Sequence, residues 1–78
     1  MDYIYILRCA DNSLYTGITT DVERRFQQHL AGTASHYTAA KKAVAIVYTE
    51  TAESKSAALK REVEIKRLPR EKKLALMQ

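Results

Sequence analysis

The 78-residue chain has one cysteine, Cys9. No internal disulfide can form, and a small secreted domain would normally carry several bridges, so a reducing cytoplasm is the expected setting. Long apolar runs are missing too. The longest near the start, Tyr3 to Leu7, is too short for a signal-peptide core or a membrane span. No membrane association is expected. The sequence shows no repeat, linker or low-complexity tract. Its length leaves no room for a second core, so residues 1–78 are expected to form one domain. A domain of this size buries only about 60% of the surface its unfolded chain exposes.

Acidic charge is in the minority: 9 acidic residues face 13 basic ones, for a net charge of +4. The excess is concentrated in the last third, at Lys55, Lys60, Arg61, Lys66, Arg67, Arg70, Lys72 and Lys73. Such clustering is an electrostatic footprint for polyanions, of which nucleic acid is the commonest. A solvated helix face would have the same composition.

Tyr3-Ile4-Tyr5-Ile6-Leu7 is aromatic and β-branched and reads as a strand. Asp11-Asn12-Ser13 signals a turn, and Leu14 to Thr19 reads as a second strand, which together predict a hairpin. Thr20-Asp21-Val22-Glu23 fits a capping box, with Thr20 as the cap. The helix after it runs to about Ala31 and stops at Gly32. Residues 33–42 form a polar, basic connection with room for a helical turn. Val44 to Tyr48 reads as a third strand, and a helix spans about Ser54 to Arg67. Pro69 suits the first position of a last short helix. The order β-β-α-β-α-α predicts an α+β fold: a small, mainly antiparallel three-stranded sheet flanked by helices.

Val22, Phe26 and Leu30 recur every four residues and predict a buried stripe on the first helix. Arg25 and His29 share an edge about 60° round from it. The pair is also consistent with an ordinary surface position, where two cations repel mildly. On the second long helix, Ala58, Leu59, Val63 and Ile65 define the apolar face, with Glu62 near its centre. Burying a carboxylate costs several kcal/mol unless it is paired or binds a metal. Glu62 therefore pairs with Lys66 one turn on, or holds a cation. Four of the five tyrosines fall in strands. Tyr5 and Tyr15 share a sheet face only if the hairpin turn has an odd number of residues. A three-residue turn at Asp11-Asn12-Ser13 would pair Tyr5 with Thr19 and Leu7 with Gly17.

Tyr3-Ile4-Tyr5 and Tyr15-Thr16-Gly17 resemble the paired tripeptides of the GIY-YIG nuclease superfamily. Tyr15 through His29 is similar to that family's second strand running into its arginine helix. Ala58-Leu59-Lys60-Arg61-Glu62 resembles the segment that supplies its metal-binding glutamate. The later segment, Ile65 to Arg70 with Lys73, is similar to that of small stand-alone bacterial members, and the likeness covers nearly the whole chain. It implies the same three-stranded fold. It also implies catalytic roles for Tyr5, Tyr15, Arg25, His29 and Glu62, with Gly17 structural. Tyr3 stands in place of the first tripeptide's glycine. Ile18 stands where some repair nucleases carry lysine. The only asparagine, Asn12, does not follow the glutamate as it does in many members.

The implied activity is divalent-metal-dependent hydrolysis of phosphodiester bonds, in DNA before RNA, in DNA repair or processing. Glu62 would hold one Mg²⁺ or Mn²⁺, and Arg25 would fork onto a phosphate oxygen. Tyr5 would position or deprotonate water, His29 would accept its proton, and Tyr15 would order the water or a phosphate oxygen. Lys41, Lys42, Lys66, Arg70 and Lys73 are the expected backbone contacts, which position nucleic acid without reading sequence. Two other classes fit less of the pattern. One is a non-catalytic nucleic-acid-binding domain that keeps the fold. The other is a protein-interaction module with a basic helix, which gives no reason for Glu62.

Overall fold

A computed structural model describes residues 1–77. Strands β1 (Asp2–Cys9), β2 (Leu14–Thr19) and β3 (Ala43–Ala52) form one sheet in the order β2-β1-β3, antiparallel throughout. Helices α1 (Val22–Ala31) and α2 (His36–Lys41) lie between β2 and β3, and α3 (Lys55–Arg67) and α4 (Arg70–Leu76) follow β3. This is the predicted order, with the helical turn of the basic connection realised as α2.

The hairpin closes with Cys9 N–H donating to the Ser13 carbonyl at 2.9 Å. Its three-residue loop is therefore Ala10-Asp11-Asn12. Asn12 takes the left-handed conformation (φ 70°), which asparagine tolerates better than most residues. Asp11 Oδ1 braces the turn by accepting from the Ser13 amide at 3.0 Å. The odd loop keeps Tyr5 and Tyr15 on one face. The pairs are Tyr5 with Gly17 and Leu7 with Tyr15, not those expected from a turn one residue later.

The alternation of β1 divides the core. Ile4 and Ile6 pack with Ala58 and Ile65 of α3, while Tyr5 and Leu7 face Phe26 of α1 and Ala43. Full burial of each large aliphatic side chain contributes about 1.5–3 kcal/mol. β3 is longer than predicted, and the register of its pairing with β1 shifts at two points. One shift lets Val47 and Tyr48 both join the Ile4 side, as an extra residue in a bulge permits.

Helix α1 starts one residue later than the capping box implied. Asp21, not Thr20, is the cap, and its carboxylate accepts from Arg24 N–H at 3.1 Å. Glu23 bonds Gln27 rather than reaching back. Gly32 ends the helix at φ 79°, a backbone shape that glycine adopts without strain. The buried stripe is also rotated: Leu30 is 49% exposed, and His29, at 2%, takes the inside position. On α3, Leu59 and Val63 are exposed and the inward line is Ala58, Arg61, Glu62 and Ile65. Pro69 precedes α4 as its cap residue instead of occupying the first turn.

Candidate active site

Tyr5 leaves the middle of the central strand and lies across Gly17 of β2. A Cβ built on Gly17 would meet Tyr5 Oη and sit 2.6 Å from Tyr5 Cζ. Glycine is needed there for the close approach of Tyr5. The ring reaches over the edge strand to α1, where Tyr5 Oη and His29 Nε2 are 2.8 Å apart. His29 Nδ1 is 2.7 Å from Thr38 Oγ1 of α2, and Thr38 contacts the hydroxyl of Ser35, the cap of α2, at 2.8 Å.

The proton positions in this chain follow from elimination. Tyr5 is buried, and His29 Nε2 is the acceptor within reach of its hydroxyl. Tyr5 O–H therefore donates to a bare Nε2. The proton on His29 is then on Nδ1, which donates to Thr38 Oγ1, and the Thr38 hydroxyl is free to donate to the Ser35 carbonyl at 3.4 Å. Each buried polar group has a partner, as a packed interior requires.

Burial pushes the Tyr5 phenol well above its ordinary value; the nearby Tyr15 and Glu62 add to this, and Arg25 opposes it. Burial lowers the His29 pKa, and the Arg25 charge lowers it further. Both shifts favour the neutral pair, tyrosine and imidazole. A linkage prediction follows. The folded pKa of His29 lies below its reference of 6.5, so the unfolded chain takes up a proton first. The stability held above pH 6.5 is lost as pH falls through the depressed folded value. Thermal melts between about pH 7.5 and 5 should show this slope. His29→Gln should flatten it, and an unchanged slope would remove His29 as its source.

Tyr15 meets His29 edge-on at 5.1 Å and Tyr5 at 6.4 Å between ring centroids. Arg25, half-buried on α1, lies close enough to act on both Tyr5 and His29. Glu62 arrives from α3 with its side chain 16% exposed, and acts on Tyr5 as well. Its helix is held in rotation by the preceding residue. Arg61 Nε donates to Glu50 Oε2 of β3 at 2.8 Å, and Tyr48 Oη donates to Glu50 Oε1 at 2.6 Å. Glu62 has both partners within reach: Lys66 Nζ is 3.4 Å from its carboxylate, and the carboxylate also acts on Tyr5 in the site. Among the described residues, no three His, Cys, Asp or Glu side chains gather as a metal cage. A single carboxylate fits a hard cation that keeps most of its water, such as Mg²⁺ or Mn²⁺.

The structure brings Tyr5, Tyr15, Gly17, Arg25, His29 and Glu62 to one locality. It does not gather the five expected backbone cations into one track. Lys41 pairs with Asp11 at 3.0 Å, and Arg70 donates to the Asn12 carbonyl at 2.8 Å. The Lys42 carbonyl accepts from Ala10 N–H at 2.9 Å, with its side chain exposed. These three meet at the hairpin loop. Lys66 is at Glu62, and Lys73 is half-buried on α4. A polar depression of ≈ 240 Å³ opens beside Arg25, lined also by Thr19, Thr20, Asp21, Arg24 and Gln28. A larger one of ≈ 460 Å³, around Tyr3, Val22 and Thr49, contains none of the site residues; chemistry, not size, picks out the site. Ser35, His36, Tyr37 and Thr38 read in the sequence as a polar loop that could touch a nucleic-acid strand; the buried contact of Thr38 with His29 and the Arg61–Glu50 clamp were not foreseen. The Ser35-to-Thr38 spacing, a helix-cap signature, was the available signal for the first.

The family described as the GIY-YIG catalytic domain matches residues 1–75. The UPF0213 protein of Natronomonas pharaonis is 53% identical over 75 residues, 96% of this chain and 88% of that protein. The UPF0213 protein of Staphylococcus haemolyticus is 49% identical over 76 residues, 97% of this chain and 93% of that one. The solution NMR structure of a UPF0213 protein from Bacillus halodurans aligns with a TM-score of 0.60 at 44% identity, covering 97% of this chain and 82% of that chain. The relatives include archaeal as well as bacterial proteins, which widens the bacterial branch suggested by the sequence.

Proposed function

The chain belongs to the GIY-YIG catalytic-domain family, and from that premise we propose that it is a divalent-metal-dependent endonuclease. Its bond is the phosphodiester of nucleic acid, DNA before RNA, and its setting is repair or processing of DNA in the cytoplasm. The family is generally one of nucleases. The observation that carries the reading is the buried chain Tyr5–His29–Thr38, which ends at the one locality shared by Arg25 and Glu62.

Hydrolysis needs a water that loses a proton as it attacks. Tyr5 lies too high in pKa to rest as a phenolate. In our reading it works as a relay: it accepts the water proton while passing its own to His29 Nε2. The Tyr5 hydroxyl selects the tautomer that leaves Nε2 bare, Thr38 receives the Nδ1 proton's hydrogen bond, and the depressed pKa of His29 keeps it neutral and able to accept at neutral pH. Arg25 lays its guanidinium on the non-bridging oxygens, where charge accumulates in the transition state. Glu62 would hold Mg²⁺ or Mn²⁺, which would supply Lewis-acid stabilisation of the departing oxygen. Tyr15 orders the water or a phosphate oxygen.

A second reading, a nucleic-acid-binding domain without turnover, draws on Lys66, which sits 3.4 Å from the Glu62 carboxylate and competes with a cation for it. Labelled DNA and RNA substrates, incubated with Mg²⁺, Mn²⁺ or a chelator, separate the two. The nuclease reading expects metal-dependent cutting that Glu62→Ala abolishes while binding persists. Tight binding without cutting on any substrate would establish the second reading. Cutting that survives both chelator and Glu62→Ala would put the chemistry elsewhere.

A further inference from the structure

Tyr37 is the tyrosine that lies outside the strands. It sits on α2, 40% exposed, with its ring stacked on Tyr15 at a centroid distance of 5.8 Å and an interplanar angle of 29°. The aromatic series runs outward from the buried centre: His29, then Tyr15 edge-on, then Tyr37, stacked on Tyr15 and 40% exposed. Covering the core does not account for it. The core on this face is Tyr5, Leu7 and Ala43 with Tyr15, Phe26 and Ile46, and Tyr37 lies outside that group.

The helix that carries the ring is anchored. Thr38, the next residue, is buried on His29. The end of α2 is tied to the hairpin loop through the Lys41 and Lys42 carbonyls, which accept from Ala10 N–H. Lys41 is one turn along the helix and within electrostatic reach of the Tyr37 hydroxyl. An exposed aromatic on an anchored helix, beside a lysine that also pairs with Asp11, has the parts with which proteins hold unpaired nucleobases.

We infer that the outer face of Tyr37 is a stacking platform for an unpaired nucleobase next to the phosphate held in the site. The inference rests on the proposed function in taking nucleic acid as the ligand, and adds the class of substrate. Within a duplex both faces of a base are covered by its neighbours. A base lying on Tyr37 must be in a single strand, a frayed end or an extruded position. The platform has no donor or acceptor code to read, so it is tolerant of sequence.

The test is equilibrium binding in the presence of a chelator, which separates binding from cleavage. Fluorescent DNA strands of about 12 nucleotides, a length that spans a typical single-strand site, are compared in three forms: single-stranded, duplex, and single-stranded with abasic positions. Wild type should prefer the base-bearing single strand over its abasic counterpart of equal charge. Tyr37→Leu should weaken that binding about tenfold or more, as loss of one stacked base does. It should change duplex and abasic binding by less than about twofold, and Tyr37→Phe should bind like wild type. Equal binding of base-bearing and abasic strands by wild type overturns the inference without any variant. A Tyr37→Leu loss shared equally by all three forms, or no loss, overturns it too. Selective binding by a protein that never cuts would leave the platform standing and sink the nuclease. Efficient cutting by Tyr37→Leu on every form would do the reverse.

Discussion

Replacing Arg25 by alanine is expected to slow the cleavage step by about 10²–10³-fold while affecting substrate binding far less. The guanidinium lies near Tyr5 and His29 in the interior of the site. On the proposed function it would meet the phosphate where charge grows in the transition state, and a preorganised donor there is worth more than in bulk solvent. A second signature separates this role from simple loss of positive charge. Arg25 helps to lower the pKa of His29, so its removal should let that pKa rise. The acid limb of the rate profile, where His29 becomes protonated and can no longer accept, should then move to higher pH. Arg25→Lys keeps the charge and should keep the limb near its wild-type place, but it lacks the two-pronged donor geometry and should stay slow. Single-turnover rates across about pH 5 to 8 read both effects. Full activity in Arg25→Lys would show that only the charge matters, and an unmoved acid limb in Arg25→Ala would uncouple Arg25 from His29.

Gly17→Ala should cost about 1–3 kcal/mol of stability and remove cleavage from the molecules that remain folded. The new methyl group would meet the Tyr5 phenol at Oη and Cζ. That ring is buried between strand and helix and has no free end to swing aside. Relief requires Tyr5 to move, and the movement breaks its hydrogen bond to His29. Gly32→Ala is the control. There the cost comes from a left-handed backbone (φ 79°), and the nearest atom to the new methyl group is Ala39 Cβ at 3.7 Å. It should lower the melting temperature without touching the Tyr5–His29 contact. Melting curves and cleavage rates of the two variants, normalised to folded protein, make the comparison. A Gly17→Ala protein that cuts at the wild-type rate would show that Tyr5 need not lie where the structure puts it.

The linear chain determined the alternation that makes Tyr3–Leu7 and Leu14–Thr19 strands, the glycine that ends α1, and the span of α3 from about Ser54 to Arg67. These depend on neighbours within a few residues, where side-chain period and backbone preference act directly. It also brought out Glu62, because a carboxylate on an inward helix line is an anomaly visible on a helical wheel. It left open whether Tyr5 and Tyr15 share a face, which holds only for an odd-numbered turn; the three-residue loop of the fold decided that, and its true position set the pair partners. Shifting a three-residue loop by one keeps the parity and changes every partner.

What tertiary structure decided is the chemistry of the centre. On a wheel His29 belonged to a rim and Leu30 to the buried stripe, because apolar character was the only guide to the inside. In the fold, Tyr5 and Thr38 satisfy both imidazole nitrogens, so the polar residue can be buried and the leucine left outside. Those partners are 24 and 9 residues away from His29 along the chain. A polar side chain becomes a core residue only when distant groups complete its hydrogen bonds, and no local pattern records whether they will.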